Sequence, residues 1–178
     1  MSLRTTAKRF EEKLKKIKVV CFDLDGILTD SHVWWASEEV GFNRTFCIYD
    51  GYGMKVLMKA GLKVGVITGG NSISVTKRTD QLGLDFCYAG KEDKRSAFLD
   101  LMERYKVQAE EVLYMGDELF DIPLLKKAGF SATVPNCSDE VKEIVDYVTI
   151  KESGKGCARE VIDLVRYAQG IEPHNEAF

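Results

Sequence analysis

Lys18-Val19-Val20-Cys21-Phe22 is almost wholly apolar with no polar alternation, and comparable runs recur at 62–67 (LKVGVI), 84–88 (LDFCY), 112–115 (VLYM) and 130–134 (FSATV). A strand with one wet face alternates apolar and polar residues, whereas a strand without that alternation is covered on both faces. Between these runs helical patterns fill 52–60, 72–82, 94–105, 119–127, 138–145 and 157–168. Strand-sized apolar runs separated by amphipathic helices predict an α/β fold: a doubly wound parallel sheet with helices on both faces. In such a sheet ligands bind beyond the carboxyl ends of the strands. With 178 residues, 45% of them apolar, the chain is long enough to bury a continuous core, and one domain over 1–178 is expected.

Three segments stand outside the alternation. Residues 4–17 place Phe10, Leu14 and Ile17 on one stripe with basic residues around it, which predicts an N-terminal helix docked by that stripe. Residues 31–49 read as a β-hairpin, with His32–Ala36 and Arg44–Tyr49 as strands flanking a turn at Glu38-Glu39-Val40-Gly41. Its aromatic residues are too many for a ribbon standing alone, so they are expected to pack on something, such as another subunit. Residues 153–178 form a C-terminal tail whose start, Gly154–Arg159, is mobile by composition and carries Lys155 and Arg159.

A net charge of −3 provides no global field for nucleic acid, so an anionic ligand would need locally placed cations. No apolar run is long enough to span a bilayer, and no secretory layout opens the chain; a cytoplasmic location is the default expectation. The five cysteines contain no CxxC pair and read as reduced, separate thiols. Two histidines exclude a histidine-rich metal centre.

Polar residues gather where the strands end. Asp23 and Asp25 follow the first run, Thr68 the second, Lys94 the third, and Gly116-Asp117-Glu118-Leu119-Phe120-Asp121 the fourth. Each has an ordinary explanation as a helix cap or a turn. Their joint placement at strand ends does not. Hard oxygen donors from Asp23, Asp117 and the Asp25 backbone carbonyl suit Mg²⁺, which binds phosphates well. Beside such an ion a carboxylate, Asp23, can attack phosphorus, and a second, Asp25, can protonate the leaving alkoxide and later activate water. Thr68 and Lys94 would hold the equatorial oxygens as charge shifts in the transition state.

DLDGILTD, VITGG, Lys94 and GDELFD, in that order, resemble the four motifs of the haloacid dehalogenase superfamily. The resemblance runs from Lys18 to about Ala168. It implies a HAD-like Rossmannoid sheet and a Mg²⁺-dependent phosphatase working through an aspartyl-phosphate. It makes Asp23 the nucleophile, Asp25 the acid/base and a metal ligand, and Thr68 and Lys94 the phosphate holders. Asp117 becomes a metal ligand, and Asp121 steadies the lysine or the metal shell. No cap domain fits between Asp25 and Thr68 or between Thr68 and Lys94, so the hairpin stands in its place.

Asp50-Gly51-Tyr52-Gly53 and Ser153–Glu160 narrow the resemblance to the 3-deoxy-D-manno-octulosonate 8-phosphate phosphatases and their relatives acting on nonulosonate 9-phosphates. That subfamily implies a homotetramer with shared active sites and a sugar-acid phosphate as substrate. Substrate contacts would fall on Asp25, Asp50, Gly51, Lys55, Gly69, Arg78, Lys94 and Arg159. The chain departs from the pattern at two places. Gly70 stands where Arg usually follows the motif-two Thr-Gly, and Cys47-Ile48-Tyr49 stand where many members have Asn-Val-Arg, so two expected cations are missing. A non-catalytic assembly subunit is the competing class, and its mark would be a lost nucleophile. Asp23 and Asp25 are both present.

Overall fold

The computed structural model describes residues 2–91 and 93–173; the end of the expected tail, 174–178, lies outside the described residues. The elements follow in order. They are α1 (Leu3–Arg9), α2 (Glu11–Leu14), β1 (Val19–Phe22), the hairpin strands β2 (Trp34–Ser37) and β3 (Gly41–Asn43), α3 (Ile48–Lys59) and β4 (Lys63–Ile67). Next come α4 (Ile73–Leu82), β5 (Phe86–Tyr88), α5 (Arg95–Tyr105), β6 (Val112–Met115), α6 (Ile122–Lys127) and β7 (Phe130–Thr133). The chain closes with α7 (Asp139–Lys142), β8 (Tyr147–Val148) and α8 (Cys157–Gln169).

Six strands form one parallel sheet in the order β5-β4-β1-β6-β7-β8, so the direction of winding reverses between β1 and β6. The absence of alternation in β1 has the expected cause. Val20 and Phe22 enter the core under α3 and α8, while Val19 and Cys21 enter the opposite core with Phe98 and Leu101 of α5 and Leu124 and Leu125 of α6. At about 25 cal/mol per Å² of apolar surface removed from water, this two-sided burial is the main stabilising term. Among the described residues no helix is long and apolar enough to cross a membrane. All five cysteines are free thiols, as expected.

The structure corrects several boundaries. The N-terminal helix is broken at Phe10, which leaves helical geometry (φ −105°, ψ 16°). Its ring packs edge-on at 5.3 Å from Phe130 and 6.4 Å from Tyr147, and that contact outweighs continuing the helix. The helix expected over 138–145 ends at Lys142, and β8, too short to show a period, follows it. The second hairpin strand lies over Gly41–Asn43 rather than 44–49. Phe46 turns into the core, and Ile48 and Tyr49 open α3 as exposed residues. The tail is packed where composition suggested mobility. The Gly154 N–H donates to Ile27 O at 3.1 Å, the Cys157 thiol donates to the same carbonyl, and α8 buries Val161, Ile162, Leu164 and Val165.

Candidate active site

β1 and β6 are neighbours, so Asp23 and Asp117, which follow them, are brought together at the point where the sheet winding reverses. Gly26 makes the approach possible. Its φ is +91°, and a Cβ there would lie 1.9 Å from Asp117 Oδ2, so only glycine meets both demands. Asp23, Asp117 and Asp121 each offer a carboxylate oxygen within 4.8 Å of the others.

Lys94, just before α5, points its ammonium into this group and is 1% exposed. Nζ lies 2.7 Å from Asp23 Oδ1 and 2.7 Å from Asp121 Oδ1. Burial disfavours the ammonium, but the charges of Asp23 and Asp121 outweigh it and hold Lys94 above the ordinary lysine range. Asp121 is saturated: Oδ1 accepts from Lys94 and from the Tyr114 hydroxyl at 2.6 Å, and Oδ2 accepts from the N–H groups of Asp117 and Glu118. With its oxygens so committed, Asp121 is suited to orienting Lys94 and the motif-four turn rather than to coordinating an ion.

The remaining carboxylates lack enough counter-charge to stay ionised easily. Burial pushes the Asp117 carboxyl up to about 8, with the charges of Asp23, Asp121 and Glu118 adding to the effect. Burial likewise raises Asp23, against the pull of Lys94. Asp117 Oδ1 is buried without a hydrogen-bond partner among the described residues. One buried lysine among three acids, an orphaned oxygen and an all-oxygen donor set fit a hard divalent cation such as Mg²⁺.

Thr68, 1% exposed, follows β4 directly, and its Oγ1 accepts the Gly70 N–H at 3.0 Å. Asp25 does not point into the buried acid group. Its carboxylate is 36% exposed and is held at both oxygens by the Arg44 guanidinium, Nε to Oδ1 at 2.7 Å and Nη2 to Oδ2 at 2.9 Å.

The matching motifs, the sheet order and the acid–lysine cluster agree with the comparisons. A family model described as haloacid dehalogenase-like hydrolase matches residues 71–161. The 3-deoxy-D-manno-octulosonate 8-phosphate phosphatase of Haemophilus influenzae is 36% identical over 160 residues, 90% of this chain and 88% of that one. The chain belongs to the haloacid dehalogenase-like hydrolases. The solved 3-deoxy-D-manno-octulosonate 8-phosphate phosphatase from Moraxella catarrhalis, in complex with magnesium ion, phosphate ion and KDO, superposes with a TM-score of 0.87. It is 34% identical, and the match covers 92% of this chain and 93% of that one. The cobalt-bound Haemophilus influenzae phosphatase gives a TM-score of 0.84 at 37% identity, covering 89% and 92%. The expected enzyme class, a phosphatase of this family, stands.

The hydrolase's other expected contacts form a second group. Gly51, Lys55 and Arg78 line a shallow cavity of about 220 Å³ with Ile48, Tyr52 and Gln81, apart from Asp23 and Lys94. The Arg159 N–H donates to Asp50 Oδ1 at 2.7 Å, its Nε donates to Asp163, and its guanidinium lies 5.8 Å from the Tyr52 ring centre. Burial raises Asp50 to about 6, and its Oδ2 has no partner among the described residues. Gly69, which follows Thr68, is exposed with open space around it.

Sequence reasoning missed three residues that touch the site: Arg44, Tyr114 and Phe120, whose ring lies 4.5 Å from Lys94 Nζ. Only Tyr114 left a signal, as a polar tip inside the apolar run VLYM.

Proposed function

We propose that this phosphatase hydrolyses a phosphorylated sugar acid, 3-deoxy-D-manno-octulosonate 8-phosphate before any other, through an aspartyl-phosphate on Asp23. The buried Asp23–Lys94–Asp121 arrangement facing the orphaned Asp117 oxygen carries this reading. Mg²⁺ held by Asp23, Asp117 and the Asp25 backbone carbonyl would neutralise the phosphate dianion, so that an anionic carboxylate can approach phosphorus. Asp23 attacks through one carboxylate oxygen, and the ester bond to the sugar oxygen breaks. Lys94 and Thr68 hold the equatorial oxygens, with Asp121 and Tyr114 keeping the ammonium in place. Asp25 supplies the proton to the leaving alkoxide and then takes one from the water that cleaves the acyl phosphate.

The separate group of Gly51, Lys55 and Arg78 is read as the part of the site that serves a neighbouring subunit in a homotetramer. The exposed hairpin residues Val33, Trp34, Trp35 and Phe42 support this, because an apolar surface of that size is seldom left to water. Tyr49 and Gly70 stand where the octulosonate pattern has cations, so nonulosonate 9-phosphates are the second candidates.

Turnover of a panel of phosphorylated sugar acids and neutral sugar phosphates, measured with Mg²⁺, tests the proposal. The octulosonate ester is expected to show the highest kcat/KM. A clear preference for neutral sugars would refute it.

A further inference from the structure

Among the described residues, Arg44 is the one that joins the hairpin segment to the Asp25 loop by charge. It lies just past β3, and its side chain is 6% exposed. Besides its two bonds to Asp25, Nη1 donates to Ser72 Oγ at 2.6 Å and to Ser74 Oγ at 3.0 Å. Ser72 is the N-cap residue of α4, yet its hydroxyl caps nothing and is turned to the guanidinium. Two hydroxyls and a carboxylate therefore fix this side chain in one orientation, a held receptor rather than a loose surface cation.

Its position is as specific as its bonding. Gly70 has no side chain, and the point where a Cβ would stand is 3.5 Å from Arg44 Nη2, 3.4 Å from Thr68 Oγ1 and 3.3 Å from Asp25 Oδ2. The guanidinium thus sits one side chain's width from the phosphate-holding threonine. A guanidinium has five N–H donors, and the bonds to Asp25, Ser72 and Ser74 use four of them. The fifth is on Nη2, the nitrogen beside Gly70. An open groove of about 910 Å³ beside α4 is lined by Arg44, Ser74, Lys77 and Arg78 among others.

We infer that Arg44 receives the carboxylate of the substrate, exchanging Asp25 for it. Only an acidic substrate then frees Asp25 to serve the leaving group. The inference rests on the sugar-acid reading above and adds the residue that enforces it. No covalent bond is made or broken in the exchange: one carboxylate replaces another as hydrogen-bond acceptor on the same fork of donors. The space left by Gly70 is what lets a cation from the hairpin occupy this corner.

Steady-state kinetics of the full chain with Mg²⁺ on 3-deoxy-D-manno-octulosonate 8-phosphate and on p-nitrophenyl phosphate separate the roles. Arg44→Ala is expected to raise KM for the sugar acid by about 10- to 100-fold, the usual worth of a charge-assisted contact. On p-nitrophenyl phosphate, which carries no carboxylate, the same variant should change KM far less than on the sugar acid. Inhibition by free 3-deoxy-D-manno-octulosonate should weaken in parallel. Arg44→Lys keeps the charge and the tether of the hairpin, and should lie between wild type and alanine, which keeps the test open if the alanine protein is unstable. Gly70→Arg on the Arg44→Ala background should restore part of the lost KM. Equal losses on both substrates would show Arg44 to be only a brace for the hairpin, and no loss on either would overturn the inference. A wild-type enzyme without preference for acids would instead sink the sugar-acid reading, and this inference with it, before any variant is made.

Discussion

Asp23 and Asp25 sit two residues apart and have opposite surroundings. Asp23 is buried against Lys94, whereas Asp25 is partly exposed and gripped by Arg44. That difference matches a nucleophile held in place and an acid/base that must change partners. Asp23→Asn should abolish turnover of any phosphate ester, because an amide cannot attack phosphorus at a useful rate. Asp25→Asn should leave Asp23 in place and slow turnover by roughly 10²- to 10⁴-fold, the usual contribution of positioned proton transfer. Rapid-quench assays of both variants check this, and normal turnover by Asp23→Asn would end the mechanism. Spacing and residue type made Asp23, Asp25, Lys94, Asp117 and Asp121 legible. Arg44 was not legible, because an arginine after a hairpin strand is ordinarily a solvated charge, and only the fold brings it back to Asp25.

Among the elements the hairpin is the least self-sufficient. β2 and β3 pair through Trp34↔Asn43 and Trp35↔Phe42, with an irregularity between Trp35 and Ser37. The rings of Trp35 and Phe42 meet edge-on at 5.3 Å, yet both residues remain 52% exposed. A two-stranded ribbon of this length is marginal in water, and a neighbouring subunit is the simplest cover for it. Sedimentation at micromolar concentration should give a tetramer. Removing the tip at Glu38–Gly41 should weaken assembly and lower turnover of the sugar phosphate, while p-nitrophenyl phosphate hydrolysis is less affected. A monomeric wild-type protein, or a tip deletion with unchanged sugar-phosphate turnover, would contradict a shared site. The misplaced second hairpin strand has an instructive cause. Arg44–Tyr49 has strand-like composition, but burial of Arg44 and the packing of half-buried Phe46 against the core pull the chain off the ribbon before α3 begins.

For the whole molecule, the acid cluster links stability to pH and to metal. The carboxyls of Asp117, at about 8, and of Asp23 are raised in the folded chain above the roughly 4 of an unfolded aspartate. Between those values the folded state holds protons that the unfolded state has released, so metal-free stability should fall as pH rises from about 4 to about 8. A divalent cation prefers the ionised carboxylates and should reverse the trend, stabilising the fold more at pH 8.5 than at pH 5.5. Thermal melts with EDTA and with Mg²⁺ measure both effects, and EDTA should also silence turnover until Mg²⁺ is returned. A Tm that climbs with pH equally in both conditions would refute the linkage.

The sequence by itself determined the sheet and the identity of the acid cluster. Continuous apolar runs have no stable home except strands buried on both faces, and residues after such strands must meet where the winding reverses. Tertiary structure alone decided what each acid touches. Lys94 is shared between Asp23 and Asp121, the Tyr114 hydroxyl donates to Asp121, and Arg44 claims Asp25 across 19 residues of chain. Local periodicity encodes which way a side chain faces, but contacts between distant segments depend on how the faces are stacked. That stacking is set by the burial of the two cores as a whole, and no short stretch of sequence contains it.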